Sequence, residues 1–246
     1  MSFNVVIPAR LNSSRLKEKV LIEINGVPML IHVARRASLS GANQIIIATD
    51  DKKVADIVSK YNFKSVMTEK NHHSGTDRCL EVAKIMNWAD DQIIVNVQAD
   101  EPLIDPKLIN LLAINAQKDL SGYVTACSKF NSYEDFINPN NVKVVLDNES
   151  NALYFSRSAI PYLSSSSWTK DNIANHHLGI YAYKLGKLKK FCSFPISVIE
   201  KIERLEQLRA LSNNLKIKVV FYDGDPIKGV DTEEDLSFVK KILSEK

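Results

Sequence analysis

Strand-like and helix-like segments alternate through the first part of the chain, and this alternation restricts the fold more than any other feature. "FNVVI" (3–7), "QIIIATD" (44–50) and "DQIIVNVQAD" (91–100) are rich in Ile and Val, while "VPMLIHVARRAS" and "DKKVADIVSKY" between them repeat apolar residues at helical intervals. A βαβαβ run of this kind predicts an α/β fold with a mostly parallel sheet flanked by helices, whose ligands sit beyond the carboxyl ends of the strands. The later half reads differently. "GYVTACSKF", "NVKVVLD", "ALYFSRS" and "HLGIYAYK" are short and strand-like, and a Ser-rich stretch (163–172) reads as an exposed loop among them. The expectation is one domain over 1–246 carrying a β-rich extension at about 125–185. A long helical pattern, "VIEKIERLEQLRALSNN", then a strand "KIKVVFYD" and a last helix opened by "DTEEDL" close the chain, with Asp231 or Thr232 as N-cap.

Charge and cysteine content exclude several partners. The 32 cations and 29 anions are spread along the 246 residues for a net charge of +3, so there is no basic stripe for nucleic acid, and an anionic ligand has to be met locally. Cys79, Cys127 and Cys192 are few, odd in number and without C-x-x-C spacing, which speaks against a disulfide framework or a zinc site. No leader precedes the first strand, and no apolar run approaches the roughly 20 residues a membrane helix needs. The chain is therefore expected in the cytoplasm, with no membrane partner.

The first such local site is the turn after the first strand, "PARLNSSRLKEK" (8–19). Backbone N–H groups leaving a parallel strand, joined by Arg10, Arg15 and Lys19, make a pocket suited to a polyphosphate, although three cations on a loop also serve simply to solvate it. Neither G-x-G-x-x-G nor G-x-x-x-x-G-K-[ST] occurs, which disfavours a dinucleotide fold or a P-loop ATPase. The strand "VNVQADEP" (95–102) ends in Gln98, Asp100 and Glu101. A carboxylate at that tip is where a divalent cation meets a phosphate, and oxygen ligands favour magnesium. Asp100 would otherwise be a helix cap, but Asp105 before Pro106 is the better cap. Asp231 of "GVDTEEDL" reaches the same metal if the last strand returns beside the site; by itself an acidic helix start is a capping device.

"IPARLNSSRL", "NGVPMLIHV", "IIIATDD", "HSGTDR", "IVNVQADEP", "NPNNVKVVLD", "ALYFSRSAIPY", "HHLGIYAY", "LEQLR" and "GVDTEEDL" follow one another in an order and spacing that resembles the 3-deoxy-manno-octulosonate cytidylyltransferases, the CMP-KDO synthetases, over essentially the whole chain. The resemblance implies a Rossmann-like nucleotidyltransferase fold with a β-rich dimerisation extension, a homodimer, and Mg2+-dependent transfer of CMP from CTP to KDO for lipopolysaccharide biosynthesis. It implies that Arg10, Arg15 and Lys19 hold the triphosphate, that the backbone near Ala9 with Ser74, Thr76 and Arg78 contacts the cytidine, and that Asp100 and Asp231 bind the metal. It assigns Gln98, Arg157, His177, Tyr181, Glu206 and Gln207 to the sugar. Arg157 suits a carboxylate and the others suit hydroxyls, although His177 in an apolar strand also reads as a core histidine, and Glu206 and Gln207 as solvated helix residues.

Two departures from the family pattern stand out. Lys17-Glu18 and Val20 replace the usual Pro-Gly and Pro of "RLPGKPL", and Ala99 replaces the glycine of "QGDEP", with strain expected wherever the lost glycine had an unusual φ. A nucleotidyltransferase for another acidic sugar, such as an 8-amino analogue of KDO or a sialic acid, and a non-catalytic CTP-binding protein are the alternatives. Retention of both Asp100 and Asp231 argues against the latter.

Overall fold

The computed structural model describes residues 2–11, 16, 18–169, 174–224 and 229–244. Its strands are β1 (Phe3–Ala9), β2 (Glu23–Ile24), β3 (Val27–Pro28), β4 (Gln44–Thr49), β5 (Lys64–Met67), β6 (Ile93–Asn96), β7 (Tyr123–Lys129), β8 (Lys143–Leu146), β9 (Ala152–Ser156), β10 (Asn175–Lys184) and β11 (Lys218–Phe221). Its helices are α1 (Met29–Ser38), α2 (Lys52–Lys60), α3 (Gly75–Ile85), α4 (Pro106–Lys118), α5 (Tyr133–Ile137), α6 (Leu185–Cys192), α7 (Val198–Glu203), α8 (Leu208–Ser212) and α9 (Glu233–Ser244). Among the described residues no helix is long and apolar enough to cross a membrane.

β1 is buried on both faces, as its unbroken apolar run requires of a central parallel strand. It lies between β6 and β4, parallel to both, and the main path of the sheet runs β11-β7-β10-β6-β1-β4-β5. β10 is the exception to parallel order: it enters antiparallel between β6 and β7. β8 leaves the path by pairing with the start of β10 and carries β9 with it. Of the β-rich stretch at 125–185, β7 and β10 thus belong to the central sheet, while β8 and β9 form the outgrowth. Two large apolar clusters fill the two faces of the sheet, and a smaller one seats α9 on β2 and β3.

Helix boundaries follow local chemistry. Asp105 accepts from Lys107 N at 2.9 Å and caps α4, with Pro106 at its first position, so the expectation that Asp105 is the cap and Asp100 is spare is met. Thr232 and Asp235 cap α9 reciprocally: Thr232 Oγ1 accepts from Asp235 N at 3.2 Å and Asp235 Oδ2 from Thr232 N at 3.0 Å. That leaves the Asp231 carboxylate for other work. The single long helix expected over 198–214 is not formed. Arg204 turns left-handed (φ 55°), α7 stops, and α8 begins at Leu208, the two clamped by Arg209 Nη2 on Glu200 Oε1 at 2.6 Å. Glu206 and Gln207 therefore stand in a helix break, not on a helix face.

Candidate active site

The tips of β1 and β6 lie side by side, since Val97 N donates to Val6 O at 3.1 Å where the ladder ends. Lys19 opens a 3-10 turn after β1, and its Nζ donates to Asp100 Oδ2 at 2.5 Å and to Asp231 Oδ1 at 2.9 Å. Asp231, after β11 as expected, reaches the site on a loop secured by Val230 N donating to Asp100 O at 2.9 Å. Val230 itself is fully buried in the small cluster beneath α9. Burial works to lower the Lys19 pKa, but the two carboxylates together outweigh it and leave the amine above its ordinary value. Arg10 is exposed at the end of β1, while Arg15 and Lys17 lie outside the described residues.

Two carboxylates converging on one ammonium mark a place where a cation is stabilised, and they match what a magnesium ion requires: one or two carboxylates completed by phosphate oxygens and water. Among the described residues no third His, Cys, Asp or Glu joins them into a metal-holding group. Beside them the Glu101 carboxyl is pushed up to about 8, by burial first and then by the Asp100 charge, and its Oε2 has no hydrogen-bond partner among the described residues.

The two departures from the family pattern have different consequences. Glu18 adopts φ 51°, ψ 35°, so a side chain occupies the left-handed conformation that glycine takes at little cost. Its carboxylate is held by Lys53 Nζ at 2.6 Å, an exposed pair that offsets little of that strain. Ala99, by contrast, is buried and is not among the positive-φ residues, so the condition for strain is not met there.

Around the start of α3 the predicted cytidine residues separate into roles. Gly75 packs against β1 so tightly that a Cβ would lie 3.2 Å from Pro8, which brings the helix start over Ala9. Ser74 is the N-cap, locked in a capping box with Asp77. Arg78 is turned inward and donates to Asp50 Oδ2 at 2.8 Å and Thr68 Oγ1 at 2.6 Å, tying β4 and β5 to α3. Thr76 is buried and its hydroxyl donates to Glu206 Oε1 across the helix break.

Thr76 thereby leads into the predicted sugar residues. Glu206 is held above its ordinary pKa by burial, against the Thr76 hydrogen bond. Gln207 Nε2 and Asn96 Oδ1 are buried without a hydrogen-bond partner among the described residues, and the buried hydroxyls of Tyr123 and Tyr183 lie within electrostatic reach of Glu206. Such groups are costly to bury unmatched, and their concentration here suits a ligand rich in hydroxyls. Tyr181 faces Asn96 across the β6–β10 pairing, and Gln98 Nε2 donates weakly to Gly179 O at 3.5 Å. His177 is a buried, neutral histidine: burial lowers its pKa to about 3, and its Nε2 lies 3.0 Å from Thr125 Oγ1. Arg157 donates Nε to Glu203 O at 2.9 Å and Nη1 to Pro139 O at 3.1 Å. Sequence reasoning missed Asn96, Tyr123 and Tyr183, whose polar atoms lie on apolar strands, and it noted Glu101 at the strand tip without giving it a role. It also missed α3, which the Ser74/Asp77 capping pattern announces.

Two measurements test this geometry. In metal-free buffer Lys19→Met leaves Asp100 and Asp231 facing each other and should lose about 1 kcal/mol of stability, discounted for their exposure. Millimolar magnesium should raise the unfolding midpoint of the variant more than that of the wild type; an equal response would separate the carboxylates from cation binding. Glu101 has a raised folded pKa, so its contribution is intact below the unfolded value near 4.3 and is lost as pH climbs through about 8. Glu101→Gln should therefore flatten the fall in metal-free stability between pH 5 and 8.5, seen as unfolding midpoints that converge with the wild type at low pH and exceed it at high pH.

Comparison with known proteins agrees with this arrangement. The cytidylyltransferase family profile matches residues 4–217. A 3-deoxy-manno-octulosonate cytidylyltransferase of Vibrio vulnificus (strain YJ016) is 46% identical, with 100% of each chain covered. 3-deoxy-manno-octulosonate cytidylyltransferase 2 of Actinobacillus pleuropneumoniae serotype 5b (strain L20) is 42% identical over the same full coverage. Among solved structures, a CMP:2-keto-3-deoxy-manno-octonic acid synthetase complexed with CTP superposes with a TM-score of 0.90 at 36% identity, covering 100% of this chain and 99% of that one. A cytidylyltransferase from Leptospira borgpetersenii shares the fold alone, at 18% identity and a TM-score of 0.64 over 99% of this chain and 87% of that one. With a parallel sheet, a carboxylate pair at its strand tips and end-to-end likeness to these proteins, the chain belongs to the cytidylyltransferase family, among the 3-deoxy-manno-octulosonate cytidylyltransferases.

Proposed function

We propose that this protein transfers CMP from CTP to the anomeric hydroxyl of 3-deoxy-manno-octulosonate, releasing pyrophosphate, in the cytoplasm and in the service of lipopolysaccharide synthesis. The observation that carries the reading is the convergence of Asp100 and Asp231 on one cation beside the end of β1, in a chain similar from end to end to the octulosonate cytidylyltransferases. The sugar oxygen bonds to the α-phosphorus as the bridge to the β-phosphate breaks, and the hydroxyl proton is released. Such a reaction demands positioning and charge neutralisation more than covalent chemistry. Arg10, Arg15 and Lys19 neutralise the triphosphate, Lys19 exchanging its carboxylate partners for phosphate oxygens. The start of α3, with Ala9, Ser74 and Thr76, receives the cytidine, and Arg78 braces that turn from within. Arg157 pairs with the sugar carboxylate, while Gln98, Tyr181, Glu206 and Gln207 meet the hydroxyls and the neutral His177 supports Tyr181, 5.6 Å from its ring. Asp100 and Asp231 would hold magnesium, which when bound adds positive charge at the phosphates and acidifies the sugar hydroxyl.

Pyrophosphate release with CTP, KDO and magnesium tests the activity. Asp100→Asn and Asp231→Asn should each lower kcat about a hundredfold or more, and the double variant should cost far less than the product of the two because both act through one site. Near-normal turnover of Asp100→Asn in saturating magnesium would remove it from the metal site.

We also propose a homodimer. Leu153 on β9, Tyr162 beyond it, and Val198 and Ile202 on α7 are large apolar side chains left 59–93% exposed, and a second copy of the β8–β9 outgrowth would cover such a surface. Light scattering should return twice the chain mass at assay concentration; a single-chain mass refutes this.

A further inference from the structure

Lys143 is 0% exposed, yet among the described residues its ammonium is met by no carboxylate in its hydrogen bonds. Nζ donates to Asn138 O at 3.1 Å, Asn141 O at 2.7 Å and Arg157 O at 2.5 Å. An ammonium has three N–H donors, so three carbonyls use it fully, but they leave its charge uncompensated where a buried lysine ordinarily takes a carboxylate. A neutral donor would tie a turn at lower cost, so the charge itself calls for an explanation.

What the cage adjoins supplies one. Asn138 and Asn141 flank Pro139, whose carbonyl receives Arg157 Nη1. Lys143 thus holds the turn on both sides of that contact and also holds the carbonyl of Arg157 itself. From the opposite side, Glu203 accepts from Arg157 N at 2.9 Å and from Ser156 Oγ at 2.6 Å, so its carboxylate is engaged with backbone and hydroxyl, while the guanidinium donates to two carbonyls. We infer that Lys143 is a positioning residue for Arg157, fixing the direction of its guanidinium and adding a second, buried positive charge behind it, so that an incoming carboxylate meets a preset and under-neutralised cation. This rests on the reading of Arg157 as the partner of the sugar carboxylate.

The electrostatics agree. Burial first, and then the Arg157 charge, lower the Lys143 pKa to about 8, with Glu203 acting in the opposite direction. The other titratable groups near it are His176, directly across the β8–β10 pairing and kept neutral by burial at a pKa of about 4, and Asp135 of α5, whose charge acts on His176 and whose carbonyl accepts from Asn141. A lysine whose folded pKa is depressed keeps its charge below about 8 and loses it above, and the pull on a sugar carboxylate should weaken in the same interval.

Steady-state kinetics in magnesium test this. For the wild type, KM for KDO should rise as pH passes from 7 to 9.5 while KM for CTP does not follow. Lys143→Met should raise KM for KDO about tenfold, the size of one charge-assisted contact, leave KM for CTP within about twofold, and abolish the pH-dependent rise. Combining it with Arg157→Met should add little to the effect of Arg157→Met alone, because one residue acts through the other. Equal rises in both KM values, or full additivity with Arg157→Met, would reduce Lys143 to a fold-stabilising residue and overturn the inference. Should Lys143→Met fail to fold, the wild-type profile decides: a KDO KM flat across that range refutes the proposal. If Arg157→Met is itself without effect on KM for KDO, the assignment of Arg157 falls and this inference with it. An effective Arg157→Met beside a silent Lys143→Met removes this inference alone.

Discussion

One ammonium between two carboxylates sets how the end of this chain must return to its beginning. Asp100 stands at the tip of β6 and Asp231 near the start of α9, 131 positions apart by their numbers. Two carboxylates at such range repel, and the repulsion is tolerable only with a cation between them. Lys19, just after β1, supplies it in the free protein. This triple is fixed by Val230 N on Asp100 O, by the burial of Val230, by Asp235 Oδ2 accepting from Asp231 N, and by the cluster of Ile24, Met29, Leu236 and Val239 that seats α9 on the β2–β3 hairpin. The small third core, which adds little to the sheet, is the support of the site.

The surroundings of Arg157 and Glu206 rely on a different device. Ending α7 at a left-handed Arg204 leaves the Glu203 carbonyl for Arg157 and turns Glu206 toward Thr76, so one short helix end positions both side chains that we propose to meet the sugar. The capping box at its other end and the Glu200–Arg209 pair keep so short a helix in place. The unpartnered Gln207 Nε2 and Asn96 Oδ1 nearby are a standing cost of this arrangement. Thr76, in the first turn of the helix that packs on Pro8 of β1, bonds to Glu206, which makes it a physical link between the end of β1 and the helix break.

How much of this was legible follows from where the information lies. The parallel sheet was, because β1, β4 and β6 are buried on both faces and read as unbroken Ile/Val runs. The spare carboxylate at Asp100 was, because Asp-Pro at 105–106 is so strong a helix start. The helix break at Arg204 was not: "IERLEQ" holds no Gly or Pro, and only tertiary contacts with Thr76, Arg157 and Arg209 repay a left-handed arginine. For the same reason the sequence could state the glycine rule at Ala99 and Glu18 only conditionally: strain depends on φ, which one sequence does not display, and the positive φ is found at Glu18 alone of the two. That Arg78 and Lys143 are buried was not legible either: Arg78 is received by Asp50 and Thr68 at the ends of β4 and β5, and Lys143 by the carbonyls of Asn138 and Asn141 just before it and of Arg157 after β9.

Those buried cations also separate two ways of holding charge. Lys19 is held by carboxylates, anions that a metal ion satisfies as well, so it is exchangeable: a triphosphate that draws the amine away leaves behind a site of the right charge for a divalent cation. Lys143 is held by neutral carbonyls with all three donors used, and nothing arriving with the substrate offers it a better place, so it stays. The reaction we propose would bring a polyanion, a metal and a sugar acid to one point, and it calls for both behaviours. On that reading the exchangeable cation stands where charge would change hands, and the fixed one stands behind the guanidinium proposed to meet the sugar carboxylate.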